Sequence, residues 1–248
     1  YIREAMERTH NDLIDPIPEC YRVQYSLAHQ LFSYRNIHYP ENMTSLAAAQ
    51  KRLIFEELLI FAVGLGLLKN RRTPLLGIAM ENVPLTPFFA ALPFTLTGAQ
   101  KRAINDAISD MQKDRPMNRL VQGDVGSGKT MVAATCAFFA AQNGYQTALM
   151  APTEILAVQH VKTLTPLLEG MGLRVAQLIG STSAAQKRAV KMQLASGEID
   201  IVIGTHALLT EDVVFGKLGL VITDEQHRFG VSQRSALTAK GENPHLLV

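Results

Sequence analysis

Gly123 to Thr130 read G-D-V-G-S-G-K-T, a match to the phosphate-loop pattern G-x-x-x-x-G-K-[ST]. The apolar pair Leu120 and Val121 stands before it, and a helix-like segment, Thr130 to Gln142, comes after. A triphosphate packs several negative charges into a small volume, and successive backbone N–H groups cradle it only where the chain curls tightly. Gly123, Gly126 and Gly128 permit that curl, because residues without a Cβ reach positive φ and let backbone approach closely. Asp124, Val125 and Ser127 complete the expected nucleotide-binding loop. Lys129 is placed to reach the β- and γ-phosphates, and the Thr130 hydroxyl to ligate magnesium. The helix starting near Lys129 adds its positive dipole end to the same place. A glycine-rich turn beside a surface lysine is the bland alternative; the flanking strand and helix argue against it.

Val221 to His227 read V-I-T-D-E-Q-H, which puts two carboxylates at the end of an apolar run. Asp224 suits magnesium, which keeps several waters and takes few carboxylates. Glu225 suits the orientation and deprotonation of an attacking water. An acidic helix cap is the competing reading of the pair. With the phosphate loop, these residues predict ATP and Mg²⁺ as cofactors and Lys129, Asp224 and Glu225 as the catalytic set.

The 248 residues are 47% hydrophobic with a formal net charge of +2, so the chain has enough apolar material for a core. A charge this small does not by itself indicate nucleic acid, and any DNA-binding surface must be local. The two cysteines, Cys20 and Cys136, are too few for a disulfide framework or a zinc site, and a reducing cytoplasm fits. Leu58 to Leu68 is the longest apolar run; it is too short to span a bilayer, so no membrane partner is expected. The chain starts at Tyr1 rather than Met, which suggests a piece of a longer protein.

The first 95 residues differ in character from the rest. Asp15-Pro16-Ile17-Pro18 marks a rigid turn. Ser26 is placed to cap a helix from Leu27 to Ile37, and a long helical stretch runs from Thr44 or Ser45 to Lys69. Its apolar residues recur at three- to five-residue steps, as in a packing helix. Pro84, Pro87 and Pro93 mark an irregular connector. From Leu96 strands and helices alternate. Thr97 to Lys113 reads as a helix; strands are expected at 119–122, 147–151, 174–179, 199–203, 218–223 and 246–248. Near-continuous apolar strands separated by helices predict an α/β fold with a parallel sheet covered on both faces. In such a sheet ligands sit beyond the carboxyl ends of the strands, where the phosphate loop, Thr153, Thr205 and the Asp224–Glu225 pair all fall.

Further motifs narrow the class. Met150 to His160 read M-A-P-T-E-I-L-A-V-Q-H, Gly204 to Leu208 read G-T-H-A-L, and Phe229 to Arg234 read F-G-V-S-Q-R. With L-V-Q-G-D-V-G-S-G-K-T at 120–130 and D-E-Q-H-R-F-G-V at 224–231, the set resembles superfamily 2 helicases and translocases, most closely the RecG-type branched-DNA helicases. The resemblance covers most of the chain and is strongest after Thr97. It implies a RecA-like P-loop lobe over 96–248, stopping before the family's S/T-A-T motif, preceded by a mainly helical linker over 1–95. A-Q-K-R-L-I-F-E-E-L-L at 49–59 is similar to the family's linker helix between wedge domain and motor.

By this resemblance Gln100 reads adenine, although Thr97 and Gln100 also have capping-box spacing. Thr153 and Thr205 match residues that touch DNA phosphates, with helix capping as the alternative. His227 couples the nucleotide site to DNA. The implied partners are branched or duplex DNA, a second RecA-like lobe and the wedge domain of the parent chain. The implied activity is ATP-dependent fork reversal and junction migration in DNA recombination and repair. The second lobe supplies an arginine finger, so the chain alone is expected to hydrolyse ATP barely, if at all. Two alternatives stay open: a related motor of transcription-coupled repair or RNA type, and a nucleotide-gated interaction module that does not hydrolyse.

Overall fold

The computed structural model describes residues 14–70, 76–124, 126–225 and 230–248, together with residues 4, 6 and 8. They fall into two compact units, Tyr1–Thr73 and Pro74–Val248.

The first unit is helical. Helix α1 spans Glu19–Gln24, α2 Gln30–His38 and α3 Met43–Asn70. Helix α2 starts three residues later than the sequence suggests, and its cap is His29, whose Nδ1 accepts from Leu31 N–H at 3.3 Å. Ser26 instead turns the chain at φ 51°. Tertiary bonds explain the delay. Lys51 Nζ donates to the carbonyl oxygens of Tyr25 (2.8 Å) and Ser26 (3.3 Å), and Asp15 Oδ2 accepts from Gln30 N–H at 3.0 Å. From Ile54 onward α3 exposes Ile54, Leu58, Ile60, Phe61, Leu65 and Leu68.

The second unit holds six parallel strands, β1 (Asn118–Arg119), β2 (Gln146–Met150), β3 (Val175–Leu178), β4 (Ile201–Gly204), β5 (Leu218–Thr223) and β6 (His245–Leu247), in the order β1-β6-β5-β2-β4-β3. Its helices are α4 (Thr86–Ala91), α5 (Gly98–Met111), α6 (Lys129–Gln142), α7 (Glu154–Glu169), α8 (Ala184–Ser196) and α9 (Val231–Thr238), with a 3₁₀ turn at His206–Leu209. Strand side chains alternate between two apolar layers, as a period of two requires. Leu149, Ile201, Ile203, Leu220 and Ile222 join one cluster with Ile104, Phe138 and Leu164. Ala148, Met150, Val202 and Val221 join the other with Leu194 and Leu237. Both faces are therefore covered, which is why the strands read as unbroken apolar runs.

Strand β1 is shorter than expected. The pairing continues beyond it only through Val121 N–H to Val248 O at 2.7 Å. The division between units also falls at Thr73/Pro74 rather than at Thr95. Met80, Phe88 and Leu96 enter the core cluster of the sheet unit, and Gly77 N–H and Met80 N–H donate to the carbonyls of Asp114 (2.8 Å) and Met111 (3.0 Å). The proline-rich connector, with α4 inside it, is thus a strap on the second unit.

Candidate nucleotide site and its neighbouring face

The chain order β1 to β2 skips two strand positions, so the carboxyl ends of β1, β6 and β5 lie side by side. That is the topological switch point at which open α/β sheets bind ligands. A cleft of about 760 Å³ opens there, lined by residues 120–123, Gly126, Lys129, Thr130, His160, 222–225 and Val248 among others. The topology thus brings the phosphate loop and the two carboxylates to one place.

The loop has the geometry its glycines imply. Gly126 and Gly128 adopt φ of 81° and 79°, which L side chains rarely occupy. A Cβ at Gly128 would also lie 2.3 Å from Gln100 Nε2, so a side chain there would displace that amide. Lys129 begins α6 and its Nζ donates to the carbonyls of Gly123 (2.6 Å) and Asp124 (2.9 Å), closing the loop into a ring. Ser127 N–H donates to Asp124 O at 3.2 Å. A glycine-bared ring at a helix start, with an ammonium at its rim, fits a phosphate chain. Val125 lies outside the described residues.

Asp224 is the residue after the end of β5. Its N–H donates to Met150 O at 3.1 Å, and its Oδ2 lies 2.9 Å from His160 Nε2. That bond from His160 holds the Asp224 carboxyl below its usual range; burial opposes it, and the Glu225 N–H and Lys129 charge assist it. Glu225 stands beside it at φ 52°, an uncommon conformation for a non-glycine residue and one that clusters at functional sites. The Asp224 carboxylate and the Thr130 hydroxyl both line this cleft and are hard oxygen donors of the kind Mg²⁺ takes. Among the described residues no group of three or more His, Cys, Asp or Glu could hold a metal by itself.

Gln100 takes up the capping-box reading of its spacing. Its Oε1 accepts from Thr97 N–H (2.8 Å) and Thr97 Oγ1 accepts from Gln100 N–H (3.2 Å), a complete capping box at the start of α5. Its Nε2 then donates to Ser127 O at 2.9 Å, which ties the cap to the phosphate loop. Thr153 caps α7, its Oγ1 accepting from Leu156 N–H at 3.3 Å. Thr205 does not cap with its side chain; it is buried, and its N–H donates to Leu178 O at 3.3 Å. Beside it, His206 Nε2 lies 3.0 Å from Gln233 Nε2. His227 lies outside the described residues.

His160 is the site residue that sequence reasoning passed over. The signal was present: on a helix starting at Thr153, positions 156, 159 and 160 share one face.

The profile of the DEAD/DEAH box helicase family matches residues 97–243. An ATP-dependent DNA helicase RecG from Synechocystis sp. is 46% identical over 242 residues, covering 95% of this chain and 29% of the relative. That from Bacillus subtilis is 44% identical over 250 residues, covering 100% of this chain and 37% of the relative. A solved structure of RecG bound to a three-way DNA junction superposes with a TM-score of 0.76 at 41% identity, over 95% of this chain and 32% of that one. The sheet unit therefore has the RecA-like helicase-lobe fold, and the chain spans only 29–37% of the curated relatives' length.

Proposed function

We propose, from the premise that this chain belongs to the DEAD/DEAH box helicase family and is homologous to RecG ATP-dependent DNA helicases over nearly its whole length, that it holds the first motor lobe of an ATP-driven branched-DNA helicase. The convergence of the phosphate loop with Asp224 and Glu225 in one cleft carries the reading. In it, the loop N–H groups and Lys129 hold the β- and γ-phosphates, and Gln100 contacts the adenine. Thr130 and Asp224 hold Mg²⁺, which when bound neutralises charge on the phosphate oxygens. Glu225 orients a water and takes its proton. Thr153, exposed at the start of α7, meets a DNA phosphate without reading sequence; Thr205, the second candidate, is buried, which makes Thr153 the better placed of the two.

The relatives are longer than this chain, and in the parent protein a second lobe and a wedge domain complete the machine. An arginine finger from that lobe is worth about 10³–10⁵ in rate in comparable phosphoryl-transfer systems. The intact protein then reverses forks and migrates junctions in recombination and repair, in the cytoplasm, where free Cys20 and Cys136 stay reduced.

Glu225→Gln in the full-length protein tests this reading. Nucleotide binding persists, while hydrolysis stimulated by branched DNA falls about 10²- to 10⁴-fold, the range of a general base. Turnover kept at the unsubstituted rate would remove Glu225 from the chemistry, and nucleotide binding with no DNA-stimulated turnover in the unsubstituted protein would favour a gate over a motor.

A further inference from the structure

Asp224 lies just past the end of β5; its N–H still pairs with Met150 O of β2 at 3.1 Å, but that pairing does not fix the side chain. Its carboxylate is nevertheless held, and the partner comes from another element. His160 Nε2 sits 2.9 Å from Asp224 Oδ2. An ionised carboxylate only accepts hydrogen bonds, so Nε2 carries the proton and donates. The His160 side chain is 13% exposed and that of Asp224 34%, so the imidazole is the shielded member and the carboxylate the one facing the cleft.

The element that delivers the imidazole is itself anchored. Ala157, Leu164 and Leu168 of α7 are buried in the core. The first turn is fixed twice: Thr153 caps it, and the Glu154 carboxylate accepts from Ser181 N–H at 3.1 Å and Ser181 Oγ at 2.7 Å. Leu156, Gln159 and His160 all line the nucleotide cleft. A helix held at its start and along its buried face presents His160 with little freedom to drift.

We propose that His160 is a positioning residue, whose Nε2–H holds the Asp224 carboxylate in the orientation that binds magnesium and links that carboxylate to helix α7. The proposal rests on the reading of Asp224 as the magnesium carboxylate. Its physical basis is general: hydrogen bonds to a ligating carboxylate fix its orientation, and removing such a partner typically costs 10- to 100-fold in metal affinity or activity. A residue that merely fills space between α7 and β5 would change stability and leave the metal requirement alone. The link also joins Asp224 to the helix that begins at Thr153, so a shift of α7 is felt at the carboxylate.

The test is an equilibrium titration on the full-length protein, with a fluorescent ADP analogue as probe and magnesium as the variable. His160→Ala and His160→Phe both lack the donor, and the second keeps a ring in the space. His160→Gln restores an N–H at about the reach of Nε2. The expected result is a magnesium midpoint about tenfold or more higher in the Ala and Phe variants. The Gln variant returns to within about threefold of the unsubstituted protein, and all four bind the analogue equally in excess chelator. Equal midpoints in all four proteins, or a Gln variant shifted as far as Ala, would overturn the inference. If the unsubstituted protein took up no nucleotide at any magnesium concentration, the reading of the site itself would fall, and with it this inference.

Discussion

The largest fully buried side chain in the helical unit is a guanidinium, that of Arg52; in the sheet unit the largest are the phenyl rings of Phe88 and Phe139. Among the described residues, the helical unit buries Ile17, Leu27 and Ala49 beside Gln30, Ser33, Asn36 and Arg52, while the sheet unit buries some forty apolar side chains and a handful of polar ones. Arg52 Nη2 meets Asp15 Oδ1 at 2.7 Å and Arg52 Nη1 pairs with Glu56. Asp15 also accepts from Ile17 N–H and Gln30 N–H at 3.0 Å each. One interior is joined by directional, charged bonds and the other by area removed from water. Charged interiors specify geometry at a high desolvation cost, whereas apolar interiors tolerate volume-conserving exchange. The two units should therefore respond differently to loss of a single side chain.

The sharpest test of that contrast is Arg52→Ala. It takes the guanidinium from Glu56 and leaves Asp15 with the more distant Arg22, at 3.6 Å; breaking one side of a buried pair costs about 3–5 kcal/mol. Hydrogen exchange read peptide by peptide on the full-length protein should show α2 and the first half of α3 losing protection, while β2 and α6 keep theirs. Arg52→Met keeps part of the packing of the stem and still loses the charge, so it should fail nearly as badly. Retention of full protection in both variants would mean that the polar interior contributes little, and the comparison would break.

The same contrast explains how much is legible in the sequence. In the sheet unit, side chains report their own burial. Val221 and Ile222 are apolar because both faces of β5 are covered, so strand β5 is legible over its whole length, and with it the place of Asp224 and Glu225 at its end. The phosphate loop is legible because positive φ needs glycine at 126 and 128. In the helical unit, the deciding contacts join residues 37 apart, Asp15 and Arg52. An arginine within A-Q-K-R-L reads as a solvated face, and nothing local marks its partner. The cap of α2 is hidden for the same reason, since Lys51 and Asp15 fix that turn from a distance. His160 escapes sequence reasoning because its importance emerges only when α7 is laid against the end of β5.

Next in size is a pH effect confined to the sheet unit. His245 Nδ1 accepts from Met117 N–H at 2.9 Å, and its Nε2 lies 2.7 Å from Ile78 O, to which it donates. The imidazole thus joins β6, the chain entering β1 and the strap before α4 in its neutral form. Burial pushes its pKa below the ordinary 6.5, with the Ile78 carbonyl and Asp110 opposing. Because the folded value is the lower one, protons bind first to the unfolded chain as pH falls. The stabilisation is complete above about pH 6.5. It declines below that by at most about 1.4 kcal/mol per pH unit, until the folded imidazole also takes up a proton. Urea midpoints measured from about pH 8 to pH 5 should fall more steeply for the unsubstituted protein than for His245→Leu, which is weaker throughout. Parallel slopes would show that the sheet unit has no such proton dependence, and that the charge-sensitive interior is the helical one alone.

The smallest effect separates capping from DNA contact within the sheet unit. Thr153 and Ser183 make comparable bonds. Thr153 Oγ1 accepts from Leu156 N–H, and Ser183 Oγ accepts from Gln186 N–H within a capping box, each at 3.3 Å. Loss of such a cap costs about 1 kcal/mol, so Thr153→Ala and Ser183→Ala should lower the denaturation midpoint by similar amounts. Their consequences for DNA should differ if the start of α7 meets a strand phosphate. A contact of that kind adds affinity without sequence preference. Thr153→Ala should therefore weaken binding of the full-length protein to every duplex or branched DNA about equally, by several-fold, while Ser183→Ala leaves it unchanged. Equal DNA affinity in both variants would reduce Thr153 to its cap. The apolar interior would then be the scaffold for the nucleotide site alone, with the DNA face built by residues other than this threonine.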